Sequence, residues 1–136
     1  MMISTKGRYA LRVMLDLASQ PSEEYISLKA ISDRQEVSMK YLEAIVAPMV
    51  RAEIIRSQRG KEGGYQLARP AEEITIGEIL RCSEGTLVPV ACPVLDGGDC
   101  EREGDCQTLP LWQALDRRID DYLNSVSLKD LVLGNV

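Results

Sequence analysis

Residues 27–46 read SLKAISDRQEVSMKYLEAIV, a run in which two serines each precede a series of apolar residues. Ser27 and Ser38 are each placed to cap a helix, because a serine hydroxyl accepts a hydrogen bond from the unpaired N–H groups of a first helical turn. The apolar residues behind each serine recur at the three- and four-residue spacing of a helix that buries one face. Residues 36–38 separate the two runs as a turn. The stretch therefore predicts a helix-turn-helix, with its second helix running from Ser38 to about Ala52.

Two patterns flank the helix-turn-helix. Upstream, apolar residues on one stripe predict a helix over 8–19. Downstream, residues 54–58 and 65–68 have the character of short strands, and the glycine-rich run RGKEGG at 59–64 lies between them. Glycines permit a tight turn, so these residues predict a β-hairpin with a basic tip. A basic hairpin directly after a helix-turn-helix is a wing, and the predicted fold class is mainly α with a small β-hairpin wing.

The C-terminal half divides into a predicted fourth short helix at 76–83, an aperiodic stretch at 84–107 and a long helix at 110–126. One side of the long helix carries Trp112, Leu115, Ile119, Tyr122, Leu123 and Val126. That side is too apolar for a lone terminal helix, so we expect it to pack against a second copy of the chain. The expected organisation is a winged helix-turn-helix domain over 1–83, a cysteine-bearing sensor loop over 84–109, and a dimerisation helix with a C-terminal tail over 110–136.

Charge is distributed unevenly along the 136 residues, whose net charge is -5. Residues 1–70 hold eleven Lys and Arg against eight Asp and Glu, a balance of +3. Residues 71–136 hold five against thirteen, a balance of -8. Basic charge therefore lies in the part that contains the helix-turn-helix and the wing, where an anionic nucleic acid would bind.

Several function classes lack their sequence signals. The chain contains no histidine, which excludes Ser-His, Cys-His and His-ligated metal hydrolase sites. It has no Walker loop and no dinucleotide-binding fingerprint, so we expect no enzymatic activity. The start of the chain carries no apolar segment with a cleavage site, and no run approaches the roughly eighteen apolar residues of a membrane span. We therefore expect a cytoplasmic protein with no membrane partner.

The candidate DNA-binding residues are Ser38, Lys40, Tyr41, Glu43, Arg59, Gly60 and Lys61. The first two turns of the second helix reach base edges in the major groove, where Glu43 is tolerable if it accepts from a cytosine amino group. At the hairpin tip, Gly60 lets the backbone approach a phosphate, and Arg59 suits the negative potential of a narrow minor groove. The alternatives are a solvated helix surface and an ordinary hairpin with solvated charges.

Three of the four cysteines, Cys92, Cys100 and Cys106, fall in the aperiodic segment. A cytosolic chain does not hold them as structural disulfides, and thiolates crowded in a flexible loop suit soft metal ions or an iron–sulfur cluster. Their spacing, seven and then five intervening residues, matches neither a zinc knuckle nor a ferredoxin run. A redox thiol switch and incidental cysteines are the alternatives. Cys82 falls in a helical stretch, and we expect a buried, inert thiol there.

The sequence resembles the Rrf-type winged-helix transcription regulators over nearly its whole length. The matching segments are ISTKGRYALR at 3–12, YLE at 41–43, SQRG at 57–60, GGYQLAR at 63–69, Trp112, and SLKDLV at 127–132. The resemblance implies a homodimer whose long helices cross onto the partner subunit and whose wings straddle a palindromic operator in double-stranded DNA. It also implies that Cys92, Cys100 and Cys106 match the three cluster-ligating cysteines of the IscR-like members.

This chain departs from the family pattern at the fourth cluster ligand. Where the IscR-like members use a histidine as the fourth ligand, this chain has Leu109. Where the NsrR-like members use an acidic residue, this chain has Arg8. The open choices for the fourth ligand are Glu103, Asp105, Gln107, a group of the partner subunit, or a small thiol. Ala44 replaces a glutamine that is common after Tyr-Leu-Glu, so the operator sequence does not carry over in detail.

Three hypotheses follow. In the first, the chain is an IscR-like repressor whose loop binds a [2Fe–2S] cluster and links cluster supply or oxidative stress to transcription. In the second, the chain binds DNA, but the loop is a thiol switch or docks a regulatory protein partner, as in a CymR-like cysteine regulator. In the third, the chain is a metal-binding scaffold or carrier that never touches DNA.

Overall fold

The computed structural model describes residues 3–136 and confirms a mainly helical fold with a two-stranded β-hairpin. The helices in this part of the chain are α1 (Thr5–Ala18), α2 (Leu28–Gln35), α3 (Met39–Arg51), α4 (Ile76–Glu84), α5 (Leu109–Ser125) and α6 (Leu128–Leu133). The strands are β1 (Ile55–Gln58) and β2 (Gly64–Leu67), and 3-10 turns cover Ala71–Glu73 and Glu103–Asp105. No helix within residues 3–136 is both long and apolar enough to span a membrane.

Helices α2 and α3 form the predicted helix-turn-helix, and the two expected serines cap them. Ser27 Oγ accepts from the N–H of Ala30 at 3.1 Å, and Ser38 Oγ accepts from the N–H of Tyr41 at 3.2 Å. Glu36 follows α2 in the left-handed backbone conformation, with φ at 55°. This residue ends α2 and redirects the chain towards α3.

The core lies where α1 packs against α3, α4 and α6. Its fully buried side chains are aliphatic, and they include Met14, Ile31, Leu42, Ile45, Met49, Ile79 and Leu128. Burial of such a side chain contributes about 1.5–3 kcal/mol. The first helix and the helix-turn-helix therefore form one packed unit.

The hairpin is antiparallel, with Ile55 opposite Leu67 and Gln58 opposite Gly64. Tyr65 of β2 also exchanges two backbone hydrogen bonds, of 2.7 and 2.8 Å, with Ile26. Because Ile26 directly precedes the cap of α2, these bonds tie the wing to the helix-turn-helix.

The structure differs from the sequence expectations at three places. Helix α1 begins at Thr5 rather than at residue 8, because Ser4 Oγ accepts from the N–H of Gly7 at 3.2 Å. Residues 128–133, expected as a tail, form α6, which begins with a reciprocal capping box and buries Leu128 completely. Val126, expected on the partner-facing side of the long helix, lies beyond its end and is buried in the core of its own chain.

Candidate nucleic-acid interface and cysteine segment

The first two turns of α3 present predicted DNA-contacting side chains outward. Ser38, Lys40 and Glu43 are exposed, whereas Leu42 and Ile45 on the inner side are fully buried. The hydroxyl of Ser38 already serves as the helix cap. The Ser38 side chain therefore fixes the first turn of α3, whose other N–H groups have no partner within the helix and are available to an anion.

Tyr41, the other predicted residue of α3, is half-buried. Its ring meets the ring of Tyr9 edge-on, with the centroids 5.9 Å apart. The guanidinium carbon of Arg12 lies 4.8 Å from the centroid of the Tyr9 ring. Packing of the tyrosine against α1 thus helps to orient the start of α3.

A hydrogen-bonded network holds the end of α2 against α1. Arg12 donates to the side-chain and backbone oxygens of Gln35, at 3.0 and 2.8 Å. Arg34 donates to both carboxylate oxygens of Asp16, at 3.0 and 2.7 Å. Gln35 adds a third bond to Asp16 at 2.9 Å. Such a bidentate pair is among the strongest polar contacts in proteins, so the network fixes the helix-turn-helix on α1.

The Asp16 carboxylate at the centre of this network is only 2% exposed. Burial raises the pKa of the Asp16 carboxyl, but the hydrogen bonds from Arg34 and Gln35 and the charge of Arg34 together outweigh burial. The pKa therefore lies below its ordinary value of 3.8. The network stabilises the charged form of Asp16.

The predicted wing-tip residues Arg59, Gly60 and Lys61 are all exposed. Neither cationic side chain makes an ion pair within residues 3–136. Gly60 has φ at 114°, and a Cβ there would meet no atom within 4 Å. The tip is therefore a basic and sterically open turn, as an approach to DNA requires.

Gly64→Ala should destabilise the fold at the base of the wing. Gly64 has φ at 151°, and a Cβ there would lie 2.2 Å from the backbone oxygen of Ile26. Because backbone atoms must shift, we expect the free energy of unfolding to fall by about 2 kcal/mol in chemical denaturation. The control is Gly104→Ala, where a Cβ would meet no atom within 4 Å and the expected change is under about 0.5 kcal/mol. Equal stability of the two variants would contradict the prediction.

The segment between α4 and α5 carries Cys92, Cys100 and Cys106 as free thiols, with Cys100 exposed and the other two half-buried. Within residues 3–136, no three cysteine or acidic side chains lie close enough together to hold a metal ion. The donor set fits an iron–sulfur cluster chemically, because three soft thiolates lie on one segment without a long regular element. To bind a cluster, the segment must change its conformation so that the three thiols come close together.

The thiol of Cys106 and the thiol of Cys82, the fourth cysteine, lie in different environments. The Sγ of Cys106 lies 3.4 Å from Oγ1 of Thr108, and hydrogen bonds from the Thr108 hydroxyl and from the N–H groups of Thr108 and Leu109 lower the pKa of the Cys106 thiol. Cys82 is half-buried on α4, with its Sγ 3.9 Å from the backbone oxygen of Pro48. Burial and the charge of Glu78 raise the pKa of the Cys82 thiol. Cys82 is therefore a neutral thiol at the contact between α3 and α4.

Helix α5 is joined to α1 and α3 through α4. Arg81 donates to Asp120 at 2.5 Å and to Asn124 at 2.9 Å. Gly77 permits this close approach, since a Cβ there would lie 2.4 Å from Oδ1 of Asn124. The apolar residues of α5 that remain exposed are Leu111, Leu115 and Tyr122. Leu123, expected on the partner-facing side, packs instead against the core of its own chain. The long helix thus contacts its own chain through this leucine and the polar groups of α4, and it leaves the other three apolar side chains uncovered by residues 3–136.

The sequence analysis did not identify two residues that belong to the helix-turn-helix or hold it in place, Met39 of α3 and Asp16 of α1. Met39, the first residue of α3, is 44% exposed, and an apolar side chain there can contact a thymine methyl group. Its place directly after the capping serine was the available signal. Asp16 is buried and binds the side chains at the end of α2. Its position in the sequence among the core residues Met14 and Leu17 could have indicated a buried, paired carboxylate.

A capped helix-turn-helix with a basic hairpin tied to it defines the chain as a winged-helix DNA-binding regulator. Residues 3–134 match the sequence model of Rrf2, described as an iron-dependent transcriptional regulator. The chain therefore belongs to the Rrf2 family of transcriptional regulators. The predicted family and the predicted absence of an enzymatic role are both confirmed.

Named relatives and solved structures agree with this assignment. A putative HTH-type transcriptional regulator of Neisseria meningitidis is 39% identical over 132 residues, which is 97% of this chain and 88% of the relative. The regulator IscR of Vibrio parahaemolyticus is 36% identical, covering 99% of this chain and 79% of the relative. The structure of CymR, the global cysteine regulator of B. subtilis, has a TM-score of 0.80 and 36% identity over 97% of this chain and 96% of that one. T. potens IscR has a TM-score of 0.73 and 33% identity over 100% of this chain and 89% of that one.

Proposed function

We propose that the chain is a homodimeric repressor that binds a palindromic operator through α3 and the wing, and that residues 84–109 sense iron–sulfur status by holding a [2Fe–2S] cluster. The observation that carries the DNA-binding part is the joint exposure of the first turns of α3 and of an unpaired basic hairpin tip on one packed unit. The observation that supports the sensing part is the presence of three free thiols on the segment that links α4 to α5.

Each exposed group of the interface has a chemical role in this proposal. Lys40 neutralises a backbone phosphate, and Glu43 accepts from a cytosine amino group in the major groove. Arg59 enters the adjacent minor groove, while Gly60 lets the backbone come close and Lys61 adds a phosphate contact. The cap at Ser38 and the packing of Tyr41 keep α3 in the orientation that these contacts need.

A second copy of the chain binds the other half-site of the operator. The uncovered apolar side chains of α5 are Leu111, Leu115 and Tyr122, and a contiguous apolar surface of this kind favours association. Two copies related by a two-fold axis place two α3 helices on successive turns of the major groove, which is why the operator is expected to be palindromic.

The cluster would be held by Cys92, Cys100 and Cys106. Oxidants could change its oxidation state, and iron supply could change whether it is bound. The segment is anchored at both ends, because Leu87 and Leu109 are buried. A change in the course of the segment therefore acts on α4 and α5, which Arg81 joins. The fourth ligand comes from Glu103, Asp105, Gln107 or from outside the chain.

Anaerobic reconstitution with ferric iron and sulfide tests the sensing part. We expect the protein to gain a visible charge-transfer absorption with bound iron and sulfide, and Cys92→Ala, Cys100→Ala and Cys106→Ala each to lose it. Cys82→Ala is the matched control, because this thiol is neutral and packed between helices, and it should keep the absorption. A colourless wild-type protein, or equal loss in the control, contradicts cluster binding by this segment.

A thiol switch is the second candidate function. It is favoured by the exposed free thiol of Cys100 and by the separation of the three thiols in this structure. A structural relative, Staphylococcus aureus CymR, was crystallised in an oxidised form, with 39% identity and a TM-score of 0.73. Operator binding by iron-free protein that changes with oxidant, and reverts with dithiothreitol, selects this candidate over the cluster.

A further inference from the structure

A partly enclosed cavity of about 430 Å³ lies at the base of the wing. Its walls come from the end of α1, the turn at 20–24, strand β2 and the chain that follows it. The apolar part of the lining includes Leu17, Ile26 and Leu67. None of the candidate DNA-binding residues and none of the cysteines lines it, so it is separate from both sites described above. Its volume is within the range of small-molecule sites, about 300–1,000 Å³.

One cationic group of this cavity has hydrogen-bonding capacity to spare. Arg56 of β1 lies opposite Gln66 of β2 in the hairpin, and both line the cavity, as cross-strand neighbours on one face do. Arg56 makes one hydrogen bond, to the backbone oxygen of Ala68 at 3.0 Å. A guanidinium carries five N–H donors in a fork that matches a carboxylate, so several donors stay available.

Two anionic groups lie on the same lining. The carboxylates of Glu24 and Glu72 make no hydrogen bond or ion pair within residues 3–136. The other lining cation, Arg69, is already bound to Glu73 and Glu78. The cavity therefore offers a free guanidinium, two free carboxylates and an apolar wall.

We propose that this cavity binds a small zwitterion, namely a free α-amino acid with an uncharged side chain. Its carboxylate pairs with Arg56, its ammonium group with Glu24 or Glu72, and its side chain lies against Leu17 and Leu67. Glu24, Arg56 and Glu72 are exposed, so water solvates them when the cavity is empty. An anion alone would be repelled by the two carboxylates, and a cation alone by the guanidinium. A zwitterion satisfies both charges at once.

Occupancy of the cavity would act on the wing. The ligand would contact both strands of the hairpin, and Gln66 is also bonded to the turn at 20–24 through the backbone oxygen of Glu24, at 3.4 Å. The wing tip begins directly after β1, so the ligand would bias the position of Arg59. This coupling, unlike the binding itself, rests on the proposed function of the wing in DNA binding.

Calorimetric titration of the dialysed full chain tests the binding. The probes are L-alanine, L-methionine and L-leucine, chosen for three side-chain sizes, each followed by its des-amino acid and its decarboxylated amine. At least one amino acid should bind saturably, and both of its singly charged analogues should bind about tenfold more weakly or worse. No binding by any of the three, or equal binding by an analogue, overturns the proposal.

Substitutions of the cavity residues test whether the amino acid binds in this cavity. Arg56→Gln, and the double change Glu24→Gln with Glu72→Gln, should each weaken binding about tenfold or more. Glu23→Gln is the matched control, because Glu23 is exposed beside Glu24 but does not line the cavity. A loss in the control equal to that in the cavity variants overturns the assignment.

Operator affinity with and without the bound amino acid separates the two proposals. A change in affinity that Arg56→Gln abolishes supports the coupling. Saturable binding with unchanged operator affinity keeps the ligand site and removes the coupling. Failure of the chain to bind any duplex defeats the proposed function alone, because the calorimetric result does not depend on DNA.

Discussion

Replacing Lys40 and Arg59 together with alanine should weaken binding to a selected operator by about a hundredfold or more. A dimer of the proposed kind loses four positive charges from its DNA interface, and each contact of a cation with DNA contributes roughly 1 kcal/mol. The slope of log affinity against log salt concentration should also become flatter by about three to four, since fewer counterions are released. Fluorescence anisotropy with a labelled duplex over a range of salt concentrations measures both quantities.

The matched control removes the same charge from elsewhere on the surface. Arg117 and Lys129 are exposed residues of α5 and α6, outside the proposed DNA interface. By helical spacing, Arg117 lies away from the apolar side of α5 that carries Leu115 and Tyr122. Their double alanine variant should keep its operator affinity within about threefold, because it only alters the distant field of the protein. If both double variants lose affinity equally, the effect belongs to net charge and the proposed contacts are wrong.

Asp16→Ala should lower the free energy of unfolding by about 3 kcal/mol. The substitution removes three hydrogen bonds and leaves Arg34 without its partner, and loss of one member of a buried pair costs about 3–5 kcal/mol. We expect a loss at the lower end of this range because the Arg34 side chain is 42% exposed to water. Urea denaturation of wild type and variant at one fixed protein concentration measures this loss, because association between copies would make stability depend on concentration.

Asp33→Ala is the control for this change, because it breaks an ion pair with Lys29 in which both side chains are more than two-thirds solvent-accessible, at 67% and 74%. Such pairs contribute little, so the expected loss is under about 1 kcal/mol. Equal losses in the two variants would show that the buried carboxylate does not anchor the helix-turn-helix.

The same carboxylate makes stability depend on pH in a defined direction. Because the folded-state pKa of Asp16 is lowered, its contribution is complete above the ordinary value of 3.8 and is lost as the pH falls through the lower folded-state value. The stability difference between wild type and Asp16→Asn should therefore be largest above pH 4 and shrink in more acidic solution. A difference that grows on acidification would contradict the assigned charge state.

The helix-turn-helix and the wing could be predicted because their signals are local. Ser27 and Ser38 cap the helices that follow them, and the glycines around residues 60–64 meet the geometry of a tight hairpin. Each of these features depends on residues only a few positions apart. The sequence therefore predicted the exposed candidates on α3 and at the tip as well as the fold class.

The remaining features depend on contacts between distant parts of the chain. Helix α6 is short, and its stability comes from burial of Leu128 against α1, which no local pattern reveals. The bond from Arg34 to Asp16 joins different helices, and the cavity beside Arg56 exists only once β2 lies next to the end of α1. The cysteine segment has no periodicity that could have predicted the separation of its thiols.

Amide hydrogen exchange of the protein, free and bound to a duplex selected from a random library, tests whether α3 and the wing are the surfaces that contact DNA. Exchange should slow on DNA binding at residues 38–44 and 58–64, where the backbone would become enclosed by the two grooves. Unchanged exchange in both segments, with protection confined to α5 or to residues 84–109, would show that the chain meets DNA through another surface.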